Sequence, residues 1–517
     1  MDKNKEYHFL KPLKYRVLWQ SLIIGAAGGI LVSLYRLLLS WAENFSGKLY
    51  ASVFGDPWKI ILAFCVLIVM GILIGYLTQY IPAIKGSGIP QVEGRIQGKF
   101  FSSWWKVILG KVFGGAAAIG AGLSLGREGP SIQLGAAVGE GLAQSLHRDE
   151  TESRYLITCG ASAGLAAAFN APFAGVLFAL EELHRNFSLH VFLPAMVSAI
   201  TADLISKNFF GLTAVFGAPS ITALPLRFYF LLPILGVLLG ICGCLYNHTL
   251  LFTQRLYSKI TFIKRPFVMI FPFIAAGFAA MLCPDILGGG HKIVTLLLEK
   301  DLTVSYLLIL LAAKFVFSMI SFGSGAPGGI FFPLLVLGSL AGTLFGLGAI
   351  SFFSLAPDCL SLFLFLGMVG MFTGIVRAPA TGIVLIIEMS GSMNQTLSMA
   401  LVALFAYLTA DFLRSKPIYE SLLDNLISSK PKKYQLATEK ILLEFTVEAG
   451  SFAEGKTVKE LQWPYHCLAV SVLRNGCEII PKGSLQIEAG DIITILCSGK
   501  EEDICRQKMA NQLMLHS

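Results

Sequence analysis

The sequence predicts an all-α polytopic membrane protein with an inverted repeat and broken helices, followed by a small β-rich α+β domain. Three observations predict it. Of 517 residues, 55% are hydrophobic and only 14% charged, with a mean hydropathy of +0.69, which lies outside the balance of a soluble protein. Apolar runs recur from Trp19 to about Leu413, and many approach the roughly 20 helical residues that cross a hydrocarbon core. Glycine-proline loops border long apolar segments in both halves of that region, as expected where helices break around a site between two repeats.

The apolar segments fall near 17–42, 58–80, 104–123, 155–180, 190–206, 227–253, 266–284, 303–321, 330–355, 360–388 and 396–413. Their uneven lengths fit tilted and discontinuous helices. A polar stretch with Pro219 and Pro225 divides them into two comparable halves, although no residue-by-residue repeat is visible. Many of the 52 glycines sit inside apolar runs such as Gly110 to Gly122, where small residues allow close helix packing.

The formal charge is +8, and the tail from Lys430 onward holds eleven basic and eleven acidic residues, so the surplus belongs to the membrane region. It serves positive-inside anchoring, or partly an attractive field for anions. The polar start of the chain carries Lys11, Lys14 and Arg16 before the first apolar segment and no convincing cleavage site, which predicts a cytoplasmic N-terminus and no signal peptide. Ten scattered cysteines show no CxxC pair and no His/Cys cluster at ligand spacing, so neither a disulfide framework nor a metal site is expected.

Beyond Tyr419 the pattern changes. Lys430-Pro431-Lys432-Lys433 precedes short alternating runs at 441–447, 467–473 and 491–496, with turns at Asn475-Gly476 and Ala489-Gly490-Asp491. These read as strands of a small domain. The expected division is a transmembrane domain over 1–429, linker included, and a cytoplasmic domain over 430–517.

Moving an anion through hydrocarbon requires donors that replace its water, and helix N-termini assisted by hydroxyls supply them. Gly86-Ser87-Gly88-Ile89-Pro90 offers a hydroxyl in a tight loop, with Pro90 suited to a first helical turn; the pattern also serves as a plain turn. Gly126-Arg127-Glu128-Gly129-Pro130 places a carboxylate at a helix start inside an apolar stretch. Glu128 is thus either a functional group at membrane depth or a structural partner of Arg127. Glu181 and Glu182 end another apolar run, either solvated or, if one is buried, able to pass protons.

Five segments in one order, namely Gly86–Pro90, Gly126–Pro130, Ala166–Glu182, Gly323–Pro333 and Lys416–Tyr419, resemble the CLC chloride channel and transporter family. The resemblance implies that Ser87 and Tyr419 supply hydroxyls to a central chloride, with the backbone amides of Ile330 and Phe331 completing the site. Glu128 would be the outer gating glutamate and Glu182 the inner proton glutamate. Two such carboxylates are usual in the family's exchangers, which implies a chloride/proton antiporter; a passive gated chloride channel of the same fold and a membrane ion sensor are the alternatives. Ser87 fits the chloride-preferring pattern. Phe332 is bulkier than its counterpart in well-studied antiporters, which bears on the vestibule and the rate.

The resemblance further implies a homodimer with one pathway per subunit in a lipid bilayer, a multi-pass protein of a prokaryotic plasma membrane with both termini cytoplasmic. The tail, through motifs such as Gly455–Leu461, Ile480–Gly483 and Gly490–Ile493, resembles the C-terminal subdomain of RCK/TrkA-type regulators, implying dimerisation or sensing of a small ligand it does not name. No phosphate loop, nucleophile–base pattern or metal cluster is present in the sequence, so no enzyme, cofactor, metal or nucleic acid is expected; chloride and protons are the transported ions.

Overall fold

A computed structural model of the chain describes residues 3–53, 55–185, 187–217, 222–261, 263–300, 302–428, 440–464, 467–474, 477–498 and 502–513. Pro219, the Lys430–Lys433 segment and the Asn475-Gly476 turn named above lie outside the described residues. The chain divides into two compact units, Met1–Asn425 and Leu426–Ser517.

The first unit is helical throughout. Its first half runs through α1 (Lys3–Val53), α2 (Pro57–Tyr80), α3 (Ile89–Ile96), α4 (Trp104–Gly120), α5 (Glu128–Ser145), α6 (Glu150–Phe169), α7 (Pro172–Phe178) and α8 (Leu189–Phe210). The second half repeats that order with α9 (Leu231–Ser258), the pair α10 (Arg265–Val268) and α11 (Ile270–Leu282), α12 (His291–Glu299), α13 (Val304–Gly323), α14 (Phe331–Phe353), α15 (Leu360–Val376), α16 (Pro379–Ser390) and α17 (Thr396–Phe412), before α18 (Ile418–Ser428). Among the described residues eight helices are long and apolar enough to cross a membrane. Helices α3, α7 and α12, of 8, 7 and 9 residues, rise only about 10–14 Å at 1.5 Å per residue; they are the broken pieces.

Packing repeats as well. Helix α5 lies on α6 as α14 lies on α15, and α1 lies on α8 as α9 lies on α17. Backbones touch in both copies: a Cβ on Gly135 would come within 2.0 Å of the Gly160 carbonyl, and one on Gly367 within 2.1 Å of the Gly338 carbonyl. The predicted repeat is therefore one of small residues and chain breaks rather than of side-chain identity, which is why no residue-by-residue match is visible. Gly135→Val should cost about 3 kcal/mol or more, because rigid backbone cannot yield to the added side chain. Its yield of monodisperse protein on size-exclusion chromatography should collapse, whereas Gly47→Ala, with nothing within 4 Å, should leave it unchanged.

The second unit carries one antiparallel sheet, β1 (Lys440–Thr446), β2 (Leu468–Arg474), β3 (Cys477–Ile479) and β4 (Ile492–Ser498), in the order β1-β4-β2-β3, with α19 (Glu502–Leu513) packed on β1 and β4. The three sequence-predicted strands recur within two residues at their ends. Alternate residues Leu443, Phe445, Ile493, Ile495 and Cys497 form its buried face with Cys505, Met509 and Leu513 of α19. Arg474 joins the Asp491 carboxylate at 2.7 Å and Glu488 at 2.6 Å, fixing the turn before β4. Burial alone would raise the Asp491 carboxyl, but the Arg474 guanidinium and the Glu488 N–H hold it below its ordinary value.

Candidate anion and proton site

The two halves meet antiparallel at their glycine loops. Gly126 and Gly329 exchange two backbone hydrogen bonds of 2.7 Å, while Gly86 donates to the Gly325 carbonyl at 3.2 Å and accepts from Gly328 at 3.0 Å. Left-handed backbone at Gly86 and Gly88, with φ of 62° and 94°, turns the chain sharply into α3, a conformation that a side chain would strain. The buried Lys111 amino group on α4 donates to the carbonyls of Ile84 and Gly86 at 3.0 and 2.7 Å. Lys314 on α13 repeats this with Ile286 and Gly288 at 2.8 and 2.7 Å. Each lysine so satisfies two backbone carbonyls of its loop, one lysine in each half.

The starts of α5 and α14 thus converge beside the Ser87 loop. A Cβ on Gly129 would lie 3.0 Å from the Ser87 Cβ, and one on Gly329 would lie 3.1 Å from the Gly129 nitrogen. Ser87 is buried, and its hydroxyl accepts from the Ile89 N–H at 3.1 Å. Ile330 caps α14 and Phe331 is its first residue, both buried; N–H groups at such a start lack intrahelical acceptors. Tyr419, in the first turn of α18, is fully buried and stands edge-on to Phe178 at 6.3 Å, which is edge-on to Phe331 at 5.9 Å. Among the described residues the Tyr419 hydroxyl finds no hydrogen-bond partner. An unsatisfied buried donor near two converging helix starts is an environment short of an acceptor, which is what an anion provides.

Glu128 is fully buried and begins α5. Its carboxylate lies against Gly126, where a Cβ would fall 2.3 Å from the Glu128 Oε2 and 3.1 Å from the Phe332 nitrogen. The N–H groups of Glu128 and Phe332 lie close, yet neither carboxylate oxygen makes a hydrogen bond of good geometry. The Arg127 Nε stands 4.0 Å away, also without a hydrogen bond, so a tight Arg127–Glu128 pair is absent. A carboxylate held beside amides and without a fixed partner can exchange its place with an anion, or take a proton.

The Glu181–Glu182 pair separates into two roles. Glu181 accepts from the Thr381 N–H and hydroxyl at 2.8 and 2.7 Å and from the Ala380 N–H at 3.3 Å, capping α16; Glu388 returns the arrangement by accepting from Phe173 and Ala174 at the start of α7, at 3.2 and 2.8 Å. This reciprocal cap joins the halves and draws on the helix dipole. Glu182 sits in a π-helical turn, Ala179–His184, 4% exposed, with its Oε1 unpartnered. Around it stand Glu93, Glu181, Glu420 and Arg185. Arg185 reaches Glu93 at 3.1 Å and Glu420 at 3.3 Å.

Sequence reading missed Lys111, Lys314, Glu93, Glu388 and the cap role of Glu181. Lys111 could have been found, since a lysine inside an apolar span is as costly as Glu128 and marks a buried partner. Phe332 is fully buried and stacks on His291 with centroids 3.7 Å apart, so its bulk fills space beside Glu128.

Fold and site together define a polytopic ion-transport protein built from an inverted repeat, with helix starts gathered around buried hydroxyls and carboxylates. The chain belongs to the CLC family: residues 70–411 match the family model described as voltage gated chloride channel, and residues 442–506 match that of the TrkA-C domain. It is 34% identical over 425 residues to an H(+)/Cl(-) exchange transporter ClcA of Klebsiella pneumoniae, covering 80% of this chain and 89% of the relative. Against a ClcA of Vibrio cholerae it is 33% identical over 445 residues, covering 84% and 95%. The structure of a slow cyanobacterial Cl-/H+ antiporter aligns with a TM-score of 0.77 at 28% identity, over 80% of this chain and 99% of that one.

Proposed function

We propose that the protein is a secondary active antiporter that moves chloride across a membrane in exchange for protons. The observation that carries this reading is the pair of buried carboxylates, Glu128 and Glu182, each with an unpartnered oxygen. Chloride sheds its water against the N–H groups of Ile330 and Phe331 and the hydroxyls of Ser87 and Tyr419. Charged Glu128 competes for the same positive helix starts; once protonated it loses that attraction and yields to the anion. Glu182 takes protons from its own side and needs no chloride to do so. A chloride gradient alone should therefore drive protons uphill into or out of liposomes containing the purified protein, read as a pH change in a weakly buffered medium. Proton flux that only ever follows its own gradient contradicts coupling.

In this reading the protein is a homodimer with a pathway in each subunit, set in a prokaryotic plasma membrane with both termini cytoplasmic, and acts as a transporter without a cofactor. Ser87→Pro removes a hydroxyl donor while keeping the loop. A hydrogen bond to a charged group contributes about 1.5 kcal/mol, so preference for chloride over nitrate should fall about tenfold in competition fluxes. Unchanged preference would place selectivity elsewhere.

The division into a transport domain over 1–429 and a regulatory domain over 430–517 assigns every proposed ion ligand to the first. Protein truncated near Ser429 should still exchange chloride for protons in liposomes, with changed activation at most, because the tail's role would be dimerisation or sensing of a small ligand. Complete loss of transport in a folded, dimeric truncated protein would make the tail part of the gate.

A further inference from the structure

The ten cysteines are scattered in sequence, but three of them meet in the second unit. Cys467 directly precedes β2, Cys497 lies on β4 and Cys505 on α19. The antiparallel β2–β4 ladder pairs Leu468 with Leu496, so one position further Cys467 and Cys497 fall opposite each other, on one face of the sheet. Cys497 belongs to the buried face that α19 covers, and Cys505 on α19 is fully buried in the same cluster. The Cys467 and Cys505 sulfurs stand 3.4 Å apart, and Cys505 also interacts with the Cys497 thiol. Cys467 is only half-buried, which gives the group an accessible edge.

We propose that Cys467 and Cys505 form a thiol modification site, oxidised reversibly to a disulfide by a peroxide. Sulfur atoms in contact at 3.4 Å need to approach by about 1.4 Å to bond at roughly 2.05 Å, a movement available at a helix-to-loop contact. Cys467, the accessible thiol, attacks the peroxide oxygen as its thiolate, becoming a sulfenic acid while the peroxide leaves as water. The Cys505 thiol then attacks the Cys467 sulfur and displaces the sulfenic oxygen as a second water. Two thiols and one hydrogen peroxide thus give one disulfide and two waters. The order follows from burial, which together with the neighbouring thiols keeps Cys505 protonated and slow to react first. The bond would tie α19 to the start of β2 and leave every proposed ion ligand untouched. In a reducing compartment a small dithiol returns the pair to thiols.

Purified full-length protein in detergent is treated with hydrogen peroxide, alkylated, digested without reductant and mapped by mass spectrometry. The expected product is a Cys467 peptide joined to a Cys505 peptide, about 2 Da lighter than the two thiols together, and absent after dithiothreitol. In Cys467→Ser, a change at the accessible edge, the cross-link should disappear while exposed Cys477 still alkylates as before. Oxidation that stops at a sulfinic acid on Cys467, or a cross-link that excludes either Cys467 or Cys505, would overturn the proposal. Since the first measurement is made on the unaltered chain, it stands even where a variant folds poorly.

Discussion

In the Glu128→Gln protein, chloride-driven proton movement should fall to background, a loss of at least about a hundredfold, while chloride still crosses. The amide keeps the shape of the carboxyl but carries no charge at any pH, so it neither competes with the anion for the helix starts of α5 and α14 nor binds and releases a proton. Gly126 makes the position unforgiving, because a Cβ there would collide with the Glu128 carboxyl group. Chloride efflux read with an ion-selective electrode, alongside pH in the same vesicles, separates the two outcomes. Surviving uphill proton pumping would remove Glu128 from the mechanism.

Glu182→Gln should likewise stop proton transport, leaving about 1% or less of the original rate, while leaving chloride flux and the outer gate in place. Its environment explains the specificity. Glu182 is screened from the bulk in a π-helical turn, faces Glu93 and Glu420 across Arg185, and makes no contribution to the proposed chloride ligands. Proton flux at the original rate in this variant would move the inner proton site to another group. Glu181→Gln makes a useful contrast, since Glu181 caps α16; its loss should weaken the joint between halves and reduce folded yield more than coupling.

Composition and interrupted apolar runs made the class of fold legible, and the Gly86–Pro90, Gly126–Pro130 and Gly323–Pro333 loops marked where helices start around the site. The chain breaks announced the inverted repeat, but no residue-by-residue match did, because what recurs in detail is geometry. Lys111 and Lys314 donate to equivalent carbonyls, Glu181 and Glu388 cap each other's repeat, and Gly126 pairs with Gly329, yet the surrounding side chains differ. Glu128 stood out because a carboxylate in an apolar run is costly wherever it lies. The separate roles of Glu181 and Glu182 were not legible, because adjacent residues on a helix point in different directions and only the packed partners decide which is buried. Cys467, Cys497 and Cys505 escaped notice for a related reason: sheet register and a covering helix, not sequence spacing, bring them together.

The central claim is coupling of chloride to protons, and the reversal potential of the reconstituted protein tests it most directly. With a fixed chloride gradient the reversal potential should differ from the chloride equilibrium value, and imposing a pH difference of one unit should shift it. The shift should be about 59 mV multiplied by the number of protons and divided by the number of charges moved per cycle. A reversal potential that stays at the chloride value whatever the pH difference would contradict the account and describe a passive chloride pathway.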